Sequence, residues 1–419
     1  MQPLRGTKDI LPTDTEMWQN IYDTARNVLN KYNYKEIRTP ILESTDLFEK
    51  CIGNFTDIVN KEMYNFKDQS ERRITLRPEG TSSIARAVLS NKLYLNNQMH
   101  RLWYSGPMFR YERPQQGRQR QFHQLGIECI GSLKPIADIE VIQLAHKILT
   151  QLRCKEQCTL ELNSIGNIQE RDLYTKQLIT YLKKYEKDLD EDSQKRINKN
   201  PLRILDSKID KTQEILKDGP ILQNYLGIES LKHFEQICQS LDYLNIKYNI
   251  NNYLVRGLDY YNYTAFEIKT KSSSHQNTLC GGGRYDNLIE QLGGPKIPAV
   301  GWAIGLERLI ILMKERLNTE TIHKTIYIAT EDLNNIEIIW DIINILETYN
   351  LKFELDITNI NLSKKIRKAS KIGVKTCIIL RNEEIKKRQI YIKWLDTGKQ
   401  QMINFSNLRQ YIYYLKTIL

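Results

Sequence analysis

The sequence predicts an α+β fold with a mainly antiparallel sheet, a helical insertion within it, and a C-terminal α/β domain. Three observations predict this. Strand-like runs at residues 158–163, 263–268 and 299–304 are separated by dispersed helical stretches rather than by regular βαβ units. Between about residues 167 and 240 the apolar spacing is helical, charge density rises, and no β-run intervenes. Beyond residue 325 strand and helix alternate, which implies a largely parallel sheet covered by helices. At roughly 150 residues per domain, 419 residues accommodate two or three units, drawn here as 1–322 (insertion at about 167–240) and 325–419.

Taken in order, Thr13-Asp-Thr-Glu16 reads as a capping box. Trp18, Ile21, Tyr22, Ala25, Val28, Leu29 and Tyr32 follow at helical spacing, giving a long amphipathic helix. Residues 34–43 read as a strand interrupted by Pro40, and a proline there belongs at an edge or bulge. Runs at 74–77 and 102–110 are strand-like and flank a helical stretch at 81–95. Cys158-Thr-Leu-Glu-Leu-Asn163 alternates as a half-buried strand should. The strands at 263–268 and 299–304 are joined by Cys280-Gly-Gly-Gly-Arg-Tyr-Asp286, whose glycine spacing fits neither a P-loop nor a Rossmann turn. Residues 318–324 form a polar break. After it come strands at 325–330, 351–356, 374–380 and 389–395, with helices near 335–349 and 362–371 and at the end.

Composition narrows the function classes. Hydrophobic residues at 41% and charged residues at 26% describe an ordinary globular chain. No window approaches the roughly 18 apolar residues of a membrane span, and the amino terminus lacks the apolar core of a signal peptide, so neither membrane insertion nor secretion is expected. Seven cysteines show no zinc-like spacing, since Cys154 and Cys158 have no second pair to complete four ligands. No bound metal is expected, and scattered thiols fit a reducing compartment. His123 reads as a loop hydrogen-bonder. A formal charge of +11 favours a polyanionic partner, although an AT-biased genome alone would enrich Lys, Asn, Ile and Tyr.

Chemistry concentrates in three pieces. Phe109 to Glu128 spells FRYERPQQGRQRQFHQLGIE, which places Arg110, Arg113, Arg118 and Arg120 around a loop punctuated by Pro114 and Gly117. Four guanidiniums near one turn repel each other unless an anion lies between them. Arg256-Gly-Leu-Asp-Tyr-Tyr261 adds an arginine beside two tyrosines, and Gly305-Leu-Glu-Arg308 opens an apolar helix with another. Together they describe a polyphosphate site.

In this order the pieces resemble the signature motifs of class II aminoacyl-tRNA synthetases, and the Arg256–Tyr261 element resembles the histidyl-specific members. The resemblance covers nearly the whole chain. It implies a histidine–tRNA ligase that joins L-histidine to ATP, releases pyrophosphate, and passes histidine to the 3′-terminal adenosine of histidine tRNA. Fixed guanidiniums suit a reaction in which a carboxylate attacks a phosphorus and charge spreads over phosphate oxygens. Mg2+ carried on ATP would share that charge. By resemblance Arg110 bridges the substrate carboxylate and the α-phosphate, Arg256 approaches the α-phosphate from the far side, and Arg308 clamps adenine and the γ-phosphate. Glu112 and Arg118 would complete the ATP site. Glu79, Gly80 and Thr81 belong to the amino-acid loop, with Glu79 on the α-ammonium. Gln124 would lie beside the carboxylate, Glu128 and Tyr261 would take the two ring nitrogens, and Tyr260 and Tyr285 would wall the pocket. A site that hydrogen-bonds both nitrogens rejects amino acids lacking them. The loop opened by Phe109-Arg-Tyr-Glu112 resembles motif 2 of that family, and its Arg113 and Gln115 are expected to face tRNA.

The resemblance also implies that the helix and strand ending at Pro40 form a homodimer interface, and that residues 325–419 bind the anticodon. That segment carries 15 basic and 10 acidic residues, a difference of +5. Its densest patch is Lys364, Lys365, Arg367, Lys368, Lys371 and Lys375, which reads either as a solvated helix face or as an RNA contact. The rivals are a catalytically silent regulatory subunit of ATP phosphoribosyltransferase, a prolyl or threonyl synthetase, and a generic RNA-binding protein. Arg110, Arg256, Arg308 and the basic terminal segment argue against the first, Arg256–Tyr261 and Gly281–Asp286 against the second, and the pocket residues against the third. Bacterial-type cytoplasm is the expected location, with the stroma of a plastid as the alternative.

Overall fold

Pro12 fixes the start of the first helix. As its first residue it supplies a helical φ and needs no N–H partner. Thr13 and Glu16 therefore lie inside the helix and form no capping box, and Thr15 Oγ1 donates to the Pro12 carbonyl at 2.8 Å instead. The computed structural model describes residues 1–53, 56–96, 99–115, 117–271, 277–314 and 323–418. The polar break at 318–324 lies, up to residue 322, outside the described residues. Two units are present, Met1–Arg316 and Leu317–Leu419.

The first unit runs α1 (Pro12–Lys31), β1 (Lys35–Glu36), β2 (Leu42–Ser44), α2 (Thr45–Ile52), β3 (Tyr64–Lys67), β4 (Arg73–Leu76), α3 (Thr81–Ser90), β5 (His100–Phe109), β6 (Gln121–Ile130), α4 (Pro135–Gln151) and β7 (Cys158–Ser164). Four helices follow, α5 (Ile168–Leu182), α6 (Glu191–Arg196), α7 (Asp210–Lys217) and α8 (Ile228–Tyr243). The unit closes with β8 (Tyr248–Ile250), β9 (Asn262–Thr270), β10 (Thr278–Arg284), α9 (Leu288–Gln291), β11 (Ala299–Gly305) and α10 (Leu306–Lys314). Eight strands form one sheet in the order β1-β5-β6-β11-β10-β9-β7-β8. Only the outer pairs, β1 with β5 and β7 with β8, are parallel.

Two expectations change here. Residues 34–43 are two strands in different sheets. Lys35–Glu36 pairs with β5, while Leu42–Ser44 joins β4 and β3 in a small antiparallel sheet. Pro40, which has no N–H for a ladder, lies in the break between them. The glycine run, expected to join two strands, is itself the strand β10, hydrogen-bonded between β9 and β11.

Alternation along β5 shows how the sheet divides its faces. Trp103 packs with α1, α4 and α8 through Ile21, Leu29, Val141, Leu144, Ile237 and Leu241. Leu102 and Tyr104 pack on the other side with α2, α3 and α5. Within the helical insertion, α5 thus covers one face while α8 covers the opposite one. Deleting a buried tryptophan such as Trp103 would cost about 3–5 kcal/mol. Beneath β10 the buried Arg284 guanidinium bonds Asp138 of α4 and Asp286, fixing that strand to its covering helix.

The second unit runs β12 (His323–Thr330), α11 (Ile336–Thr348), β13 (Phe353–Leu355), α12 (Leu362–Lys371), β14 (Val374–Leu380), α13 (Asn382–Lys386), β15 (Gln389–Trp394), β16 (Gln400–Asn404) and α14 (Phe405–Ile418). Its sheet, β13-β12-β14-β15-β16, is mixed rather than largely parallel. β12 runs parallel to both neighbours, but β14, β15 and β16 are antiparallel. The unexpected β16 follows a turn in which Gly398 takes φ +71°, a conformation that favours glycine.

Candidate active site

A cavity of about 490 Å³ opens on the sheet face opposite α1 and α4, a volume typical of small-molecule sites. Strand register aligns Tyr104, Gly126, Ala303, Gly281, Glu267 and Glu161 in one row across it. The next row reads Glu128, Gly301, Gly283, Ala265 and Asn163. Residues two apart on a strand share a face, so small residues in both rows leave room for side chains arriving from elsewhere.

Arg256 fills the first of these spaces. It lies over Gly281, where a Cβ would stand 2.6 Å from its Cζ. Its guanidinium pairs with Glu267 and sits 5.6 Å from the centre of the Tyr261 ring. Burial works most strongly against the Arg256 charge, but Glu267, Tyr261 and Tyr260 together outweigh it and raise the affinity for the proton. Glu267 also accepts from Thr278 Oγ1 at 3.0 Å and lies 3.7 Å from Lys269, which pairs with Glu161 at 2.8 Å. Among the described residues the buried Arg256 Nε has no partner, leaving a donor in reserve.

Arg110, Arg118 and Arg308 line the same cavity. Arg110 Nε donates to the Pro78 carbonyl at 2.8 Å, with its guanidinium 5.2 Å from the Phe122 ring. Arg118 pairs with Glu112 at 2.8 Å. Arg308 donates to the carbonyls of Gly117 (3.2 Å) and Thr278, and burial together with the Arg118 charge lowers its affinity for the proton. The four clustered guanidiniums of the motif 2 loop do not all converge. Arg113 is exposed, and Arg120 turns away to stack on Tyr111 at 3.8 Å and pack against Gly6. Gln115 is exposed, its backbone bridging to Arg118. Seven cationic and seven acidic side chains line the cavity, and the Arg118, Arg203 and Arg256 guanidiniums are paired with carboxylates. Among the described residues no group of three His, Cys, Asp or Glu could hold a metal ion.

At the other end Glu79 lies two residues before α3. Its carboxylate accepts from the N–H groups of Thr81 (2.6 Å) and Ser82 (2.8 Å), where the helix dipole favours an anion. Glu79, Thr81, Gln124, Tyr260 and Tyr261 line the cavity. Gln124 Oε1 is buried with no partner among the described residues. The Tyr260 and Tyr261 ring centres are 4.6 Å apart.

Three expected site residues do not reach the cavity. Gly80 packs under Tyr104, where a Cβ would meet the hydroxyl at 2.7 Å. Glu128 and Tyr285 form the layer below. Glu128 is fully buried, facing Gly301, and accepts from Thr81 Oγ1 at 2.8 Å and from the Tyr285 hydroxyl. Burial pushes its carboxyl up to about 8, against the pull of those two hydrogen bonds. His123 accepts a similar supporting role in β6. Its N–H and ring bond Glu307, and the ring packs edge-on against Trp18.

In the second unit the basic patch divides. Lys364, Arg367 and Lys371 are exposed on α12. Lys365 is 2% exposed and donates to the carbonyls of Thr330 (3.1 Å) and Asp356 (3.3 Å), so it cannot meet a phosphate. Lys368 is half-buried, 3.6 Å from Asp356 and 3.9 Å from Glu354.

Sequence reasoning missed Glu267, Lys269 and three side chains of the insertion's cavity rim, Arg203, Asp206 and Lys208. Glu267 carried a usable signal, because strand alternation sets it opposite Phe266 and Ile268 on the glycine-lined face.

The histidyl-tRNA synthetase family model matches residues 6–309, and the anticodon binding domain model matches residues 318–413. The chain is 58% identical over 416 residues to the histidine–tRNA ligase, chloroplastic, of Gracilaria tenuistipitata var. liui, with 99% of each chain covered. It is 47% identical to the histidine–tRNA ligase of Cyanothece sp., covering 97% of this chain and 95% of the relative. The crystal structure of apo histidyl-tRNA synthetase from S. aureus superposes with a TM-score of 0.81 at 34% identity, covering 99% of this chain and all of that one. On sequence, fold and cavity alike, the chain belongs to the histidyl-tRNA synthetase family.

Proposed function

We propose that this chain is a histidine–tRNA ligase. It activates L-histidine with ATP to histidyl-adenylate and pyrophosphate, then esterifies the 3′-terminal adenosine of histidine tRNA. The observation that carries this reading is the convergence of Arg110, Arg256 and Arg308 on a cavity that Glu79, Gln124, Tyr260 and Tyr261 also line. Family membership supports it against the silent regulatory subunit, and so does the match of a second unit to the anticodon binding domain model.

In this mechanism the α-ammonium of histidine is held by Glu79, and its carboxylate by Arg110 with Gln124 beside it. The ring lies against Tyr260, with one nitrogen on Tyr261. Glu128, one layer below the lining, takes the other once Thr81 Oγ1, which lines the cavity above it, releases its oxygen. ATP binds across Arg118 and Arg308, and Glu112 is freed from Arg118 as the phosphates arrive. Arg256 uses its spare Nε–H on the α-phosphate, where negative charge grows as the carboxylate oxygen attacks and pyrophosphate leaves. Mg2+ enters on the phosphates of ATP and neutralises part of the leaving group's charge. Arg113, Gln115, Lys364, Arg367 and Lys371 are exposed, which supports a role for each in contacts with tRNA phosphates.

A homodimer completes the reading. Ile41 and Leu42 are exposed, β1 lies at an edge of the eight-stranded sheet, and a closed two-fold contact is the commonest way to cover such surfaces. Sedimentation at assay concentration should show a dimer, and a fully active monomer would defeat this part. Among the described residues no helix is long and apolar enough to cross a membrane. The higher identity to the chloroplastic relative supports a plastid stroma over bacterial-type cytoplasm. Charging of histidine tRNA with labelled histidine tests the function as a whole. Ester formation dependent on histidine, ATP and Mg2+ is expected, and pyrophosphate release without any charged tRNA would reject it.

A further inference from the structure

Residues 255–261 carry Arg256, Tyr260 and Tyr261 of the cavity wall, yet none of this segment is helix or strand. Without ladder bonds it keeps its place only through ties to its own backbone and side chains. One set of ties comes from α2 and the turn after it. The Asp259 N–H donates to the Ile52 carbonyl at 3.2 Å, and the Asp259 carboxylate packs on Gly53, where a Cβ would stand 2.9 Å from Cγ. The other set comes from the helical insertion. Arg171, in the first turn of α5, donates through Nη1 to the Tyr261 carbonyl at 2.6 Å and the Asp259 carbonyl at 3.3 Å. Asn200 donates to Asp259 Oδ1 at 3.2 Å. Arg203 lies close enough to Gly257 that a Cβ there would meet its guanidinium at 3.6 Å.

Arg171 is largely enclosed. Burial lowers its affinity for the proton, and the Asp259 and Asp172 carboxylates act in the opposite sense. It is not among the residues lining the cavity. Its guanidinium is spent on two carbonyls of the segment that presents Tyr260 and Tyr261. Resting on the reading of this cavity as the histidine site, we propose that Arg171 is a positioning residue for histidine recognition. By holding the Asp259 and Tyr261 carbonyls it sets the Tyr261 ring against the substrate, which makes the helical insertion a working part of the amino-acid site. Arg256 is anchored separately through Glu267, so loosening Arg171 affects recognition of histidine before it affects the attack on ATP.

The test measures ATP–pyrophosphate exchange by the full-length protein, with histidine and ATP varied in turn. Arg171→Met keeps the stem and removes the donors, while Arg171→Lys keeps one charged donor. Loss of charged hydrogen bonds should raise the Michaelis constant for histidine about tenfold or more in Arg171→Met. The constant for ATP should stay within about twofold, because uniform damage is what would move both. Arg171→Lys should recover a substantial part of the loss, which a role in folding alone would not produce at unchanged melting temperature. A folded Arg171→Met with a parental histidine constant would overturn the proposal, and so would equal rises for both substrates. Should Arg171→Met not fold, Asn200→Ala removes only the Asp259 tie. A smaller rise confined to histidine supports the proposal, and no rise rejects it. Failure of the parent protein itself to exchange with histidine would instead defeat the reading of the cavity.

Discussion

One methyl group on Gly281 should silence the site while leaving the sheet intact. The new Cβ would stand 2.6 Å from Arg256 Cζ and 2.7 Å from Nη1. The guanidinium must then withdraw from 2.6 Å to the ordinary 3.4 Å, about 0.8 Å at the carbon, and further at Nη2. Arg256 is the flexible end of a long side chain, so it yields before β10 does. Yielding separates it from Glu267 and the Tyr261 face and from the α-phosphate it is proposed to contact. Misplacing or losing one preorganised donor typically lowers a rate about 10²–10³-fold, or ~2.7–4 kcal/mol of transition-state stabilisation. Gly281→Ala should therefore reduce histidine-dependent pyrophosphate exchange by about that factor, as Arg256→Ala should. The double variant should be no worse than Arg256→Ala alone, because both changes remove one interaction. Melting should change little, since overpacking relieved by a mobile side chain falls at the low end of the usual ~1–3 kcal/mol. Exchange by Gly281→Ala within threefold of the parent, or a double variant that multiplies the two losses, would refute this reasoning.

Glu128→Gln should weaken histidine binding and also change how stability depends on pH. Burial pushes the Glu128 carboxyl from its ordinary 4.5 up to about 8 in the folded chain, so the native state binds the extra proton between them. Its contribution is complete below pH 4.5 and is lost as pH rises through 8. The parent's melting temperature should fall from pH 6 to pH 9 more steeply than that of Glu128→Gln, and parallel curves would reject the assignment. Glu267→Gln keeps an acceptor for Arg256 but removes the countercharge, and should lower the exchange rate about tenfold, the difference between charged and neutral hydrogen bonds. An unchanged rate would mean that Arg256 needs no anchor. Neutralising Lys364, Arg367 and Lys371 should flatten the salt dependence of tRNA binding by about 0.7–0.9 per lost phosphate contact. Lys365→Met should leave that slope unchanged and lower the melting temperature, because two buried carbonyls lose their donor at ~1–3 kcal/mol.

Local features made part of this structure legible in the sequence. Arg110, Arg256 and Arg308 were identifiable because each stands in a short frame whose neighbours are also unusual, and the structure brings all three to one cavity. The helix of residues 12–31 was readable from its apolar spacing, but its start was not, since Pro12 overrode the capping box that Thr13 and Glu16 suggested. Depth was the property least visible. Nothing local distinguishes Lys365, buried beneath Thr330, from exposed Lys364 beside it. Glu128 likewise lies one layer deeper than Gln124, since its carboxylate fills the space over Gly301 while the space over Gly305, opposite Gln124, stays open, a difference set by residues far apart in the chain. The glycine run was misread for the same reason. Its three glycines look like a loop until Arg256, Phe266 and Tyr261 are placed over them. The eight-stranded order could not be derived, since β11 lies between β6 and β10 and only the assembled register reveals it.

The central claim is that this cavity activates histidine and no other amino acid. ATP–pyrophosphate exchange measured with each of the twenty amino acids offered separately tests it most directly. Exchange is expected with histidine alone, since Tyr261 and, once Thr81 releases it, Glu128 take the two ring nitrogens, and amino acids lacking them should be slower by orders of magnitude. Equal exchange with a second amino acid, or none with histidine, would contradict it.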